Sequence, residues 1–144
     1  MIGNIGIVSG YFNPLHQGHI EYINEAKKHC DTLIAIVNND KQVNLKRSNP
    51  FMDENHRKFI VQNLKKVDVV VISIDDDGSV CKTIESIKCL YPCYNLTFFN
   101  SGDRIGENIN CAEKDLCDLL CIKFRLLPLP KIYSSSEIIK NANL

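Results

Sequence analysis

The feature that most restricts how this chain can fold is a short string, Gly10-Tyr11-Phe12-Asn13-Pro14-Leu15-His16-Gln17-Gly18-His19, set directly after the apolar run Ile5-Gly6-Ile7-Val8. The run reads as a buried strand, and Gly18 to about His29 reads as a helix. Gly, Asn and Pro between them mark a tight strand-to-helix turn. Such a turn aims unpaired first-turn N–H groups and the positive end of the helix dipole at one point, which suits phosphate. His16 and His19 are three residues apart and share one face of that first turn. Gly18 between them carries no side chain, so a ligand can approach the backbone closely. For a lone histidine, capping or packing would be the simpler account.

The remaining sequence alternates strand-like and helix-like segments. Strands are predicted at Ile5–Ser9, Thr32–Val37, Val69–Ile74, Leu96–Phe99 and Ile122–Leu127, nearly continuous apolar runs that fit strands covered on both faces. Helices are predicted at Gly18–His29, Asp53–Lys66, Val80–Leu90 and Ala112–Leu120, the second capped by Asp53. In the first helix the apolar stripe is Ile20, Ile23 and Lys27, with Tyr22 and Ala26; in the second it is Phe59, Ile60, Asn63, Leu64 and Val67. This order implies an α/β fold, a single-domain doubly wound (Rossmann-like) parallel sheet of about five strands with flanking helices, over residues 1–144. Ligands of such sheets bind beyond the carboxyl ends of the strands, at the topological switch point. The candidate segments Gly10–His19, Asn38–Lys46, Asn100–Arg104 and Lys131–Ser136 each follow a predicted strand.

Two imidazoles beside a helix N-terminus suit attack of an oxygen nucleophile on the α-phosphorus of a nucleoside triphosphate. Charge then grows on the equatorial oxygens and on departing pyrophosphate, and positioned donors stabilise it. Lys41, Lys46 and Arg47 in the loop after the second strand could ligate a triphosphate. Gly102 permits close backbone approach, and Asp103 could hold a hydroxyl or a cation. Ser134 with Glu137 matches a capping box, and the same helix start can bind anions. Asp75-Asp76-Asp77-Gly78-Ser79 lacks the ligand spacing of a calcium loop and reads as a solvated turn capping the helix near Val80. The seven cysteines lack zinc-ligand spacing and are expected to be reduced, with Cys117 and Cys121 on the apolar side of a helix. His29 and His56 read as surface or packing residues.

The pattern Gly-x-Phe-(Asp/Asn)-x-x-His-x-Gly-His, carried by Gly10, Phe12, Asn13, His16, Gly18 and His19, resembles the signature of the cytidylyltransferase-like nucleotidyltransferases. The resemblance implies transfer of CMP or AMP from CTP or ATP to the phosphate of a polyol, sugar or amino alcohol, with release of pyrophosphate. It implies catalytic roles for His16, His19 and Lys46. Nucleotide contacts are expected from Gly10, Tyr11, Phe12, Asn13, Gly18, Asp40, Arg57 (as a structural or phosphate-side residue), Gly102, Asp103, Lys131, Ser134, Ser135 and Ser136, and a contact to the acceptor phosphate from Arg104. Mg2+ is expected as cofactor on the triphosphate, with no protein metal site, and a homodimer as the assembly. Two departures stand out. Leu129, followed by Pro130 and Lys131, replaces an Arg that cytidylyltransferases carry before the serine string, and Asn13 stands where many relatives have Asp. The first weighs against CTP and glycerol phosphate. The alternative function is a catalytically inactive nucleotide-binding sensor or assembly module, separable from the enzyme by assaying pyrophosphate release.

A formal net charge of zero gives no global field toward nucleic acid or an anionic membrane, so neither is an expected partner. No apolar run approaches the ~20 residues that span a bilayer. The N-terminus lacks a basic n-region and cleavage site, so the expected compartment is the cytoplasm.

Overall fold

The computed structural model describes residues 3–46, 51–101 and 111–127. Its elements run β1 (Asn4–Gly10), α1 (Gln17–Lys27), β2 (Thr32–Val37), α2 (Asp40–Leu45), α3 (Glu54–Gln62), β3 (Val69–Ile72), α4 (Cys81–Leu90), β4 (Asn95–Ser101), α5 (Ala112–Leu119) and β5 (Lys123–Leu127). The five strands form one parallel sheet in the order β3-β2-β1-β4-β5. The chain therefore builds outward from β1 in one direction and then crosses β1 to build in the other. This is the doubly wound, Rossmann-like arrangement, and its switch point lies between β1 and β4.

Successive side chains of a strand face opposite sides of the sheet, and the core divides accordingly. Ile5, Ile7, Ile34, Ile36 and Phe98 pack under α4 and α5 with Ile84, Ile87 and Cys117. Val8, Leu33, Ala35, Val37 and Phe99 pack on the other face with Tyr22, Ile23 and Ala26 of α1 and Val61 of α3.

Several sequence expectations are corrected. The segment after β2 is not a plain loop: Asn39 caps a short helix, accepting from Gln42 N–H, while Gln42 Oε1 accepts from Asn39 N–H. Gln42 is fully buried, and its Nε2 donates to the carbonyls of Asp77 and Ser79. The acidic turn is only partly solvated. Asp75 is buried, and its carboxylate accepts from Lys82 N–H (2.7 Å), Thr83 N–H (3.0 Å) and Thr83 Oγ1 (2.6 Å), so it caps α4 from inside. Ile20 and Phe59, assigned to apolar stripes, are exposed; α3 instead buries Arg57 and Val61. Cys121 lies past the end of α5 and is exposed, whereas Cys117 is buried.

Arg57 is the organising residue of the sheet's carboxyl edge. Its fully buried guanidinium donates to the carbonyls of Met52 (3.1 Å), Tyr11 (2.8 Å) and Asn38 (2.6 Å) and to Asp40 Oδ1 (2.8 Å). One side chain thus ties the loop after β1 to the loop after β2. Among the described residues no buried side-chain nitrogen or oxygen lacks a partner. Arg57→Ala would strand three carbonyls and one carboxylate and should cost about 3–5 kcal/mol, the usual effect of removing one partner from a buried pair. Arg57→Lys should recover little, because an ammonium cannot reproduce the planar fork. Chemical denaturation checks both; a loss below about 1 kcal/mol, the range of an exposed pair, would contradict the assignment.

Candidate active site

The site is built from the strand-to-helix turn upward. Gly10 ends β1 where the Phe12 ring folds back across it; a Cβ at Gly10 would lie 2.9 Å from that ring. Phe12 adopts φ 51°, a left-handed conformation that costs a non-glycine residue on the order of 1–3 kcal/mol. Burial of its ring offsets that cost. Asn13, also buried, accepts from Phe51 N–H at 2.9 Å and ties the turn to the segment before α3.

His16 and His19 then open α1 as a reciprocal capping box. His16 Nδ1 accepts from Gly18 N–H (3.1 Å), and His19 Nδ1 accepts from His16 N–H (3.2 Å). Because each Nδ1 is an acceptor, the proton of each neutral ring is assigned to Nε2. The rings stack with centroids 3.8 Å apart, and the Phe12 ring meets His19 edge-on at 5.0 Å. Burial, then the neighbouring His16, then Lys46 push the His19 pKa down to about 3. Burial also lowers that of His16. At neutral pH the site therefore presents uncharged imidazoles whose donor nitrogen is Nε2.

The positive charge comes from Lys46, at the C-cap of α2, whose Nζ lies 4.5 Å from the centroid of the Tyr11 ring. Tyr11 also walls a cleft of about 190 Å³ lined by Ser9, Asn38, Gly78, Asn100 and Glu113 among others. Burial and the Glu113 carboxylate raise the Tyr11 pKa.

The structure brings Gly10, Tyr11, Phe12, Asn13, His16, Gly18, His19 and Lys46 together at the carboxyl end of β1. Asp40, expected at the nucleotide, binds Arg57, whose buried contacts fit the structural side of its expected structural or phosphate-side role. Gly102, Asp103, Arg104, Lys131, Ser134, Ser135 and Ser136 lie outside the described residues. Sequence reasoning placed Asn38 and Gln42 in a candidate segment without giving either a role, and missed Glu113. The Asn39-x-x-Gln42 spacing was an available signal for the α2 cap; the cleft residues come from separate elements and had none. His29 and His56 are exposed, as expected.

His19 should stay neutral, as the Nε2–H tautomer, in imidazole 15N spectra down to pH 5; protonation near 6.5 would contradict the geometry. Its folded pKa lies below its unfolded value, so its contribution to stability is complete above about pH 6.5 and declines as pH falls toward 3. His19→Asn should flatten that acid limb.

Comparison with known proteins identifies the family. The family model described as cytidylyltransferase-like matches residues 7–141. Among curated relatives, FAD synthases from Aciduliprofundum boonei and Ferroglobus placidus are 37% and 38% identical over 82 residues, covering 57% of this chain and 54% and 52% of theirs. The chain thus spans about half the length of these relatives. A solved structure described as a lipopolysaccharide core biosynthesis protein from Thermoplasma volcanium superposes with a TM-score of 0.69 at 24% identity, covering 87% of this chain and 96% of that one. The Plasmodium falciparum nicotinic acid mononucleotide adenylyltransferase superposes at 0.58 and 16% identity, covering 94% and 82%. Both structures share the fold. With the family match over nearly the whole chain, the protein belongs to the cytidylyltransferase-like family of nucleotidyltransferases.

Proposed function

We propose that the protein transfers a nucleotidyl group from a nucleoside triphosphate to the phosphate of a small acceptor and releases pyrophosphate. The observation that carries this is the reciprocal His16–His19 box, which fixes two Nε2–H donors beside a helix N-terminus. The acceptor phosphate needs no general base, since its second ionisation (pKa about 6) is largely complete at neutral pH. Its oxygen attacks the α-phosphorus while the bond to the pyrophosphate oxygen breaks. Both imidazoles donate to the equatorial oxygens as charge accumulates there, and Lys46 neutralises the triphosphate as a point charge. Gly18, with no side chain, lets the phosphates approach the first turn of α1 closely. Lys131, the Ser134–Ser136 string, Gly102, Asp103 and Arg104 keep the roles that the family resemblance gives them, as does a homodimeric assembly.

Among the described residues no three His, Cys, Asp or Glu side chains converge as a metal site. Mg2+ on the triphosphate oxygens is carried over from the family resemblance, and when bound it would neutralise phosphate charge. FAD contains an adenosine phosphate, so likeness to FAD synthases supports ATP over CTP as donor. No helix among the described residues is long and apolar enough to cross a membrane.

His16→Asn and His19→Asn should retain a cap acceptor, because the Asn carbonyl oxygen can replace Nδ1. Each should nevertheless lower kcat by about 100–1,000-fold, the usual effect of losing one transition-state donor. Near-normal kcat with a capped, folded variant would refute the catalytic assignment. Lys46→Ala should raise the triphosphate KM roughly tenfold to hundredfold, as expected from losing a charge-assisted contact of about 1.5–3 kcal/mol. It should also raise the pKa of His19, which tests the proximity without any assay of turnover. Equilibrium titration with the Mg2+ complexes of ATP, CTP, GTP and UTP should show one base strongly preferred, ATP on the present reading; equal affinity for all four would count against it.

A further inference from the structure

We infer, resting on the transfer reading above, that Tyr11 is a positioning residue for Lys46: its ring holds the ammonium in place for the triphosphate before the nucleotide arrives. Lys46 is exposed at the C-cap of α2, and its flexible four-carbon stem samples many rotamers unless something holds its end. Its Nζ lies 4.5 Å from the centroid of the Tyr11 ring, within the range of a cation–π contact. Among the described residues no carboxylate forms an ion pair with Lys46, whereas Lys41 faces Asp76 at 3.8 Å and Arg57 is bound to Asp40. A carboxylate would hold the lysine but cancel the charge that phosphate is to meet. An aromatic face holds it and leaves that charge, with the N–H donors turned away from the ring, available.

The backbone fixes where the ring points. The Tyr11 carbonyl accepts from the buried Arg57 guanidinium at 2.8 Å, and the next residue, Phe12, is held in a left-handed conformation with its own ring buried. At the other end of the contact, Lys46 N–H donates to the carbonyl of Gln42, whose side chain is buried against the carbonyls of Asp77 and Ser79. Ring and ammonium thus hang from the same frame. Burial and the Glu113 carboxylate raise the pKa of the phenol, so at neutral pH the ammonium meets a neutral ring and not a phenolate. The aromatic face is therefore the working part of Tyr11, and the hydroxyl is not. The direct nucleotide contact expected of this residue is replaced by one made through Lys46.

The test combines side-chain NMR of Lys46 with Mg2+-ATP titration and turnover of Tyr11→Phe, Tyr11→Leu, Lys46→Ala and the double variant Tyr11→Leu/Lys46→Ala. In the free protein the ring current should shift the Lys46 ε-CH2 protons upfield. The shift should persist in Tyr11→Phe and vanish in Tyr11→Leu; an unshifted wild-type signal would overturn the inference. Tyr11→Leu should weaken Mg2+-ATP binding and raise the triphosphate KM by about two- to fivefold, the weight of an exposed cation–π contact, with kcat changed less than about twofold. Tyr11→Phe, which keeps the ring, should recover the wild-type KM. In the Lys46→Ala background Tyr11→Leu should add nothing, as for two residues that act through one contact. A loss of the same size in that background would mean that the ring touches the nucleotide itself or only packs. Tyr11→Phe behaving as Tyr11→Leu would mean that the hydroxyl acts; either result overturns the inference. Tyr11→Met takes the place of Tyr11→Leu if that variant fails to fold. A wild type that shows the shift and the binding cycle, without turnover on any phosphorylated acceptor, would overturn transfer and leave the role of Tyr11 standing.

Discussion

The buried guanidinium of Arg57 is the constraint on which the arrangement of the site depends. A doubly wound sheet delivers its loops to one edge, but the loops themselves need something to fix their mutual positions. Arg57 supplies it by binding the carbonyls of Tyr11 and Asn38, which follow β1 and β2, together with Met52 before α3. Its ion pair with Asp40 sets the start of α2, and Asp40 N–H donates in turn to Glu54 at the start of α3. From there Asn39 and Gln42 reach the 73–79 turn through four hydrogen bonds to its carbonyls. Lys46, Tyr11 and the wall of the cleft are therefore parts of one hydrogen-bonded frame. Preorganisation of this kind is what electrostatic catalysis requires, since donors that must reorient during reaction lose much of their effect.

Within that frame the two histidines are neutral at neutral pH. Stacked imidazolium rings with centroids 3.8 Å apart, beside Lys46 and a helix N-terminus, would be strongly repulsive. Burial lowers the pKa of both rings, and for His19 the neighbouring His16 and Lys46 lower it further. In the proposed reaction Lys46 supplies charge, and the imidazoles supply fixed, directional Nε2–H donors whose tautomer is set by the backbone. The simple account of a capping histidine and the catalytic account coincide, because the Nδ1 that caps the helix is what turns Nε2 into the donor.

Much of this was legible in the sequence, and the legible parts share a cause. The strands show because buried parallel strands are nearly continuous apolar runs, and the turn shows because Gly10, Asn13 and Pro14 restrict its backbone so tightly. Short-range capping was also readable: Asp53 caps α3 by accepting from His56 N–H, as its position implies. What escaped was polar burial over long separations. Gln42 is buried against carbonyls of residues 77 and 79, and Arg57 against those of residues 11 and 38. Hydrophobic periodicity cannot register a polar side chain that is buried because a distant backbone needs a donor. The same blindness placed Phe59 in the core stripe of α3, where Arg57 and Val61 lie instead. Asp75 looked solvated for an equivalent reason, since its partners are the first N–H groups of α4.

The most direct measurement is a crystal structure of the protein with Mg2+ and an α,β-methylene nucleoside triphosphate. The account predicts α-phosphate oxygens within hydrogen-bonding distance, about 2.7–3.2 Å, of Nε2 of both His16 and His19. It also predicts both Nδ1 atoms still accepting from the backbone of the turn. A triphosphate seated elsewhere on the sheet edge, or imidazoles flipped so that Nδ1 faces the ligand, would contradict it.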